Sequence, residues 1–154
     1  MGVTIHDELK SLCKNPNTIK VLATTSKEGE VHASYKESIH FNEEGAIQYY
    51  ELIETSQTNK NMVASIWFKK QVAINILGED GRSYLIKGLP KKAIISGKEF
   101  QKYYEIVQQG NAENDLSAVW VIEPIDIVEK SYEKRRDEER QKHPLLHHLD
   151  RLTN

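Results

Sequence analysis

Ile19-Lys20-Val21-Leu22-Ala23-Thr24-Thr25-Ser26-Lys27-Glu28-Gly29-Glu30-Val31-His32-Ala33-Ser34 reads as two strands around one tight turn. In the first arm Ile19, Val21 and Ala23 alternate with Lys20, Leu22 and Thr24. That is the two-residue period of a strand with two unlike faces. Lys27-Glu28-Gly29-Glu30 supplies a turn, with a glycine where hairpins need backbone freedom. The second arm then runs on, with Val31, Ala33, Tyr35, Glu37, Ile39 and Phe41 alternating with His32, Ser34, Lys36, Ser38 and His40. Asn42-Glu43-Glu44-Gly45 is the next turn, and Ala46 to Ile53 a third strand rich in Ile and Tyr. Three strands joined by turns this short are antiparallel, because parallel neighbours need a crossover of a dozen or more residues. A doubly wound α/β sheet is thereby disfavoured.

Outward from this meander, Thr4 to Lys14 reads as a short helix capped by Thr4, with Ile5, Leu9, Leu12 and Cys13 on one side; Pro16 stops it. A helix begins near Asn59, with Met62, Val63, Ile66 and Trp67 as its apolar stripe. Gln71 to Leu77 is a fourth strand, and Gly78-Glu79-Asp80-Gly81 turns into a fifth from Arg82 to about Ile95. Gly88 and Pro90 predict a bulge or bend in that strand. Lys98 to Gln109 is a helix carrying Phe100, Tyr103, Tyr104 and Val107, ended by Gly110. Ser117 to Ile127 is a sixth strand containing Trp120, where Pro124 predicts an edge or a sheet switch. Glu129 to Lys142 holds six basic and five acidic residues. Its Lys134–Glu138 and Arg135–Glu139 spacings suit an exposed helix, each pair contributing roughly 0.2–0.5 kcal/mol. The expected protein is mainly β, a six-stranded antiparallel barrel with few helices, closed on itself. It divides into a barrel over residues 1–130 and a charged helical extension over 131–154.

Composition sets the outer bounds. The 154 residues are 38% hydrophobic and 29% charged, enough for one domain with a real core. A formal net charge of −2 offers no global electrostatic case for nucleic acid. No apolar run approaches the roughly 20 residues a membrane helix needs, and Met1 to Asp7 has neither the basic nor the apolar region of a secretory signal. Cys13 is the single cysteine, so no intrachain disulfide forms and a cytoplasmic setting is expected.

Chemistry concentrates in Thr55-Ser56-Gln57-Thr58-Asn59-Lys60-Asn61-Met62, which follows a strand and opens a helix. Free backbone N–H groups and the positive end of the helix dipole point the same way there, which favours an anion. Ser56 or Thr58 can cap the helix or donate to a phosphate, and Lys60 adds a charge one turn in. Glu51 and Glu54, just upstream, oppose an anion. Plain N-capping explains the same residue types.

These elements together resemble the FMN-binding split barrels related to pyridoxamine 5′-phosphate oxidase. The resemblance rests on the opening hairpin, on Ile47-Gln48-Tyr49-Tyr50 followed by Ser56 to Met62, on Lys69 to Ile76, on Tyr84-Leu85-Ile86-Lys87-Gly88, and on Val119-Trp120-Val121-Ile122-Glu123-Pro124. It covers about residues 10 to 130. It implies a six-stranded split barrel of the FMN-binding type and a homodimer with FMN in a groove at the subunit interface. By the same resemblance Thr55, Ser56, Gln57, Thr58 and Lys60 fall on the phosphate loop. Lys36, Glu37 and Ser38 run along the isoalloxazine ring, and Trp120 is a candidate aromatic near the site. Gln57 and Thr58 stand where many members carry Lys or Arg. The arginine- and histidine-bearing C-terminal signature of true pyridoxamine phosphate oxidases is absent, so vitamin B6 oxidation is not expected.

The chain ends instead in His143-Pro144-Leu145-Leu146-His147-His148-Leu149. His143 and His147 are four apart and can share a helix face for haem, or Leu145, Leu146, Leu149 and Leu152 simply pack a short helix; no metal site is expected. No nucleophile elbow, zinc spacing, Walker loop or dinucleotide fingerprint appears. A cofactor must then carry any chemistry. The expected function is an FMN-dependent oxidoreductase acting on a small-molecule redox substrate, with a non-enzymatic flavin- or haem-binding module as the alternative.

Overall fold

The turn that breaks the second arm of the hairpin decides the architecture. In the computed structural model, which describes residues 3–144 and 148–152, that arm is two strands. β2 (Val31–Tyr35) and β3 (His40–Phe41) are separated by a turn closed by the Ile39 N–H donating to the Lys36 carbonyl at 3.1 Å. The remaining elements are α1 (Asp7–Lys14), β1 (Ile19–Thr25), β4 (Ile47–Glu51), α2 (Gln57–Trp67), β5 (Val72–Leu77), β6 (Ser83–Ile94), α3 (Gly97–Gly110), β7 (Ala118–Glu129) and α4 (Tyr132–Lys142). A short 3-10 turn covers His148–Leu152. The fold is mainly β, as expected, but it has seven strands rather than six.

The unbroken alternation expected from Val31 to Phe41 also fails. Val31 and Tyr35 are 85% and 72% exposed while Ile39 is fully buried, because the turn resets which face each residue takes. His32 and His40 accordingly do not share a strand; they lie on β2 and β3.

The strand order is β2-β1-β5-β6-β7-β4-β3, and every pairing is antiparallel. β2 and β3 are therefore the two edges of one sheet, yet only residues 36–39 connect them. A flat seven-stranded sheet would hold its edges about 29 Å apart. Four linking residues span at most roughly 18 Å. The sheet must curl to bring its edges together, and the result is a half-barrel with a gap between β2 and β3. Gly29, with φ of 87°, makes the β1–β2 turn in the left-handed region where a side chain is disfavoured.

Curling gives the sheet an inside and an outside, and both are covered in part. Leu22, Tyr49, Ile74, Ile86, Trp120 and Ile122 fill the interior, with Leu9 and Leu12 of α1 and Met62 of α2 closing it. On the outer face Val119 and Val121 pack with Val107, Ile94 and Leu116, beside Phe100, Tyr103 and Tyr104 of α3. β7 reads as a continuous apolar run, Ala118 to Ile122, because both its faces are buried over that stretch. The bulge expected near Gly88 and Pro90 is present as register shifts against β7. A Cβ at Gly88 would lie 2.5 Å from Ile122 Cγ2 and 3.0 Å from the Glu123 carbonyl oxygen, so the close strand approach requires glycine. Pro124 pairs with Gly88 just past Ile122, where the β4 ladder ends and β7 is bonded on one side alone.

Two further expectations are corrected or bounded. The first helix starts at Asp7 rather than near Thr4, and its cap is His6, whose side chain makes no capping bond. α4 buries none of its residues, as its charge pattern predicts, but Lys134 lies 3.9 Å from Glu129 rather than pairing with Glu138. Leu145, Leu146, His147 and the side chain of Leu149 lie outside the described residues. No described helix is long and apolar enough to cross a membrane.

Cys13, on the buried side of α1, is 4% exposed, and burial pushes its thiol up to about 11. The thiolate is the nucleophile. Iodoacetamide at pH 8 should therefore leave native protein unlabelled over the time in which urea-unfolded protein reacts fully; equal rates by mass spectrometry would contradict this burial.

Candidate functional site

The four-residue strap across the gap, Lys36 to Ile39, is tied down from both sides. Its Lys36 N–H donates to the Lys20 carbonyl on β1 at 2.9 Å. Lys20 Nζ donates back to the Ile39 carbonyl at 3.0 Å and to the Cys13 carbonyl at 2.9 Å. On the β4 side the Tyr50 N–H donates to Ser38 Oγ at 2.8 Å. The turn's own bond leaves the N–H groups of Glu37 and Ser38 outside it. Beside the strap opens a groove of about 450 Å³, lined by Tyr35, Lys36 and Ser38, by Glu51 and Ile53 at the end of β4, and by Ile106 of α3. That volume lies within the usual range for small-molecule sites. Glu37 is exposed at the rim.

Glu51 joins this groove to the start of α2. The carboxylate is 3% exposed and lies 3.6 Å from Lys36 Nζ. It also accepts from Ser56 Oγ at 2.9 Å and from the Ile53 N–H at 3.4 Å. A buried carboxylate without such partners would cost several kcal/mol. The opposition to an anion expected from Glu51 is therefore met internally by Lys36. Behind the pair, Lys36 Nζ sits 5.5 Å from the centre of the Tyr49 ring. Burial first, and the Glu51 charge second, raise the Tyr49 hydroxyl well above its ordinary value, so it stays protonated.

α2 starts where it does because Ser56 caps it, its Oγ accepting from the Asn59 N–H at 3.0 Å. The N–H groups of Gln57 and Thr58, at the first two helical positions, have no acceptor within the helix. The side chains around them are engaged. Thr58, 1% exposed, shares a hydrogen bond with Ser34 Oγ at 3.0 Å. Gln57 Nε2 donates to Asn61 Oδ1 at 2.8 Å, and Asn61 Nδ2 donates to Thr24 Oγ1 at 3.0 Å. Thr55 and Lys60 are exposed.

The structure thus brings Lys36 and Ser56 together through Glu51, and places Ser38 on the groove wall. Trp120 is 3% exposed in the interior, and its Nε1 donates to Asn59 Oδ1 at 2.8 Å. It reaches the site through α2. Local sequence does not reveal Ser34 and Asn59 as site-shaping groups, and it shows Glu51 only as a charge opposed to an anion. Ser34 and Asn59 stand inside the two quoted motifs, but nothing local reveals their partners 24 and 61 residues away. Elsewhere, His143 and His148 line a groove with Tyr132, Arg135, Arg136 and Lys142; His147 lies outside the described residues. No cluster of three metal-ligating side chains occurs among the described residues.

A curled antiparallel sheet split at one edge, with a helix opening beside the split, defines the fold of the FMN-binding split barrels related to pyridoxamine 5′-phosphate oxidase. Among solved structures the chain is similar to HupZ of Group A Streptococcus, with a TM-score of 0.69 and 19% identity over 84% of this chain and 96% of that one. An FMN-binding protein from Syntrophomonas wolfei aligns with a TM-score of 0.66 and 14% identity over 81% of this chain and 85% of that one. HutZ, the haem storage protein of Vibrio cholerae, aligns at 0.57 and 13% over 82% and 95%. No family model matches the chain, and no curated protein matches it in sequence.

Proposed function

We propose that the chain is a flavin-binding oxidoreductase of the split-barrel type, with the ring in the groove beside the strap and the tail directed to the start of α2. The observation that carries this reading is Glu51. One buried side chain bonds both Lys36 on the groove wall and Ser56 at the helix cap, so the two parts of an elongated ligand site lie side by side. The resemblance to an FMN-binding protein supports it. Tyr35, Ile53 and Ile106 supply apolar walls, and Ser38 with the backbone N–H groups of Glu37 and Ser38 supplies polar contacts for a ring edge. A bound flavin would supply hydride acceptance and electron transfer. This chain's residues hold the ring, fix its orientation and exclude water. N–H donors aimed at a ring edge stabilise negative charge developing there.

A homodimer completes the proposal. β2 is an edge strand whose outward residues Val31 and Tyr35 are 85% and 72% exposed. A second copy laid over that apolar edge would shield it and close the open side of the groove.

A haem-binding module is the second reading. It is favoured by the basic groove that holds His143, His148 and Tyr132, and by the resemblance to a haem storage protein. Parallel titrations separate the two. The flavin reading predicts saturable quenching of flavin fluorescence and reduction of the bound flavin by NADH or NADPH. The haem reading predicts a Soret shift that is lost in His143→Ala, without flavin quenching.

A further inference from the structure

We propose that this site recognises a flavin by its ring and uncharged ribityl chain and gains little from the terminal phosphate, so that riboflavin binds nearly as well as FMN. The inference rests on the flavin reading above and concerns the charge state of the tail end of the same site.

Most side chains that would ordinarily grip a phosphate here are already committed. The Ser56 hydroxyl gives its hydrogen to Glu51 Oε1 at 2.9 Å and accepts from the Asn59 N–H at 3.0 Å. The Thr58 hydroxyl is buried against Ser34, and the Gln57 amide nitrogen is held by Asn61. Lys36 is neutralised by Glu51, with both side chains largely buried, so drawing it away would strand a buried carboxylate. What remains is two backbone N–H groups, the uncharged Thr55 hydroxyl and Lys60. Lys60 is exposed in the first turn of α2, and Glu54, in the turn before the helix, is exposed with the opposite sign.

A phosphate brings about −1.5 to −2 charges. Strong selection for it uses bidentate arginine or desolvated cations, and solvent-exposed charges are screened within about 8–10 Å. The start of α2 presents donors to the tail, but the formal charges around it sum to zero: Lys36 is paired with Glu51, and Lys60 and Glu54 carry opposite signs. The ring and ribityl chain must then carry the affinity.

Equilibrium titration of the purified full chain with riboflavin and with FMN, at 0.15 M salt, tests this. Dissociation constants within about tenfold of each other are expected. FMN binding more than about tenfold tighter would overturn the inference while leaving the flavin reading intact. Absence of binding by either flavin would overturn both. Gln57→Arg, at an exposed first-turn position, supplies the missing cation and should raise the FMN-to-riboflavin preference at least tenfold. An unchanged ratio in that variant would mean that charge at this loop is not what sets tail recognition, and would also overturn the inference.

Discussion

Lys20→Met lowers the unfolding free energy at pH 7 by about 2 kcal/mol, the balance of two opposed terms. The Lys20 ammonium is 7% exposed and donates to the carbonyls of Cys13 and Ile39. Hydrogen bonds to a charged group contribute roughly 1.5–3 kcal/mol each, and methionine leaves both carbonyls without that donor. Against this, methionine removes a buried charge. Desolvation lowers the pKa of Lys20 from its usual value, only partly countered by Cys13 and Glu37. A base with a depressed folded pKa carries its burial penalty in full below that pKa and sheds it as pH rises toward the ordinary lysine value. Two lost bonds outweigh one relieved penalty at neutral pH. A 154-residue chain should show a fall in Tm of about 4–8 °C. The gap between wild type and variant should widen between pH 7 and pH 10, because neutral lysine keeps two N–H donors while losing the penalty. A variant as stable as wild type in urea at both pH values would show that Lys20 does not hold the strap.

That strap is also where sequence reading stops. The β1–β2 hairpin is legible because Leu22 and Thr24 alternate with Val21 and Ala23, and Gly29 sits at the one position that needs a positive φ. Gly88 with Pro90 announces the bulge in the same local way. The turn at Lys36–Ile39 carries no glycine, proline or asparagine, and its alternation looks unbroken. It exists because Lys20, Ser38 and Ile39 are bonded or buried across the gap, through contacts that local periodicity does not encode. The candidate site divides similarly. Ser56 as a helix cap follows from residue type and position, and the structure has it there. The pairing of Lys36 with Glu51 joins residues on opposite sides of the split. Read alone, Glu51 looks like a repulsive neighbour; only the curled sheet makes it the link between groove and helix. Trp120 shows the converse: an aromatic in a matching motif belongs to the interior, and it touches the site through one hydrogen bond.

That bond separates two roles of Trp120. Trp120→Ala removes a large side chain packed among Tyr49, Met62 and Ile86, and should cost about 3–5 kcal/mol of stability. Such a loss would depress any measured affinity and says nothing about the site. Trp120→Phe is the informative variant. Phenylalanine keeps most of the apolar surface in the interior but has no Nε1–H, so Asn59 Oδ1 loses its partner. The stability cost should be only about 1–2 kcal/mol. Asn59 also gives its N–H to the Ser56 cap and its Nδ2 to the Glu54 carbonyl, so it sets the first turn of α2. With the side chain freed, that turn should loosen, and flavin affinity should fall several-fold in protein that remains fully folded by circular dichroism. Affinity equal to wild type in folded Trp120→Phe would mean that Trp120 only fills the barrel. A several-fold loss there makes it a positioning residue, acting on the ligand through Asn59 and the helix that Asn59 helps to start.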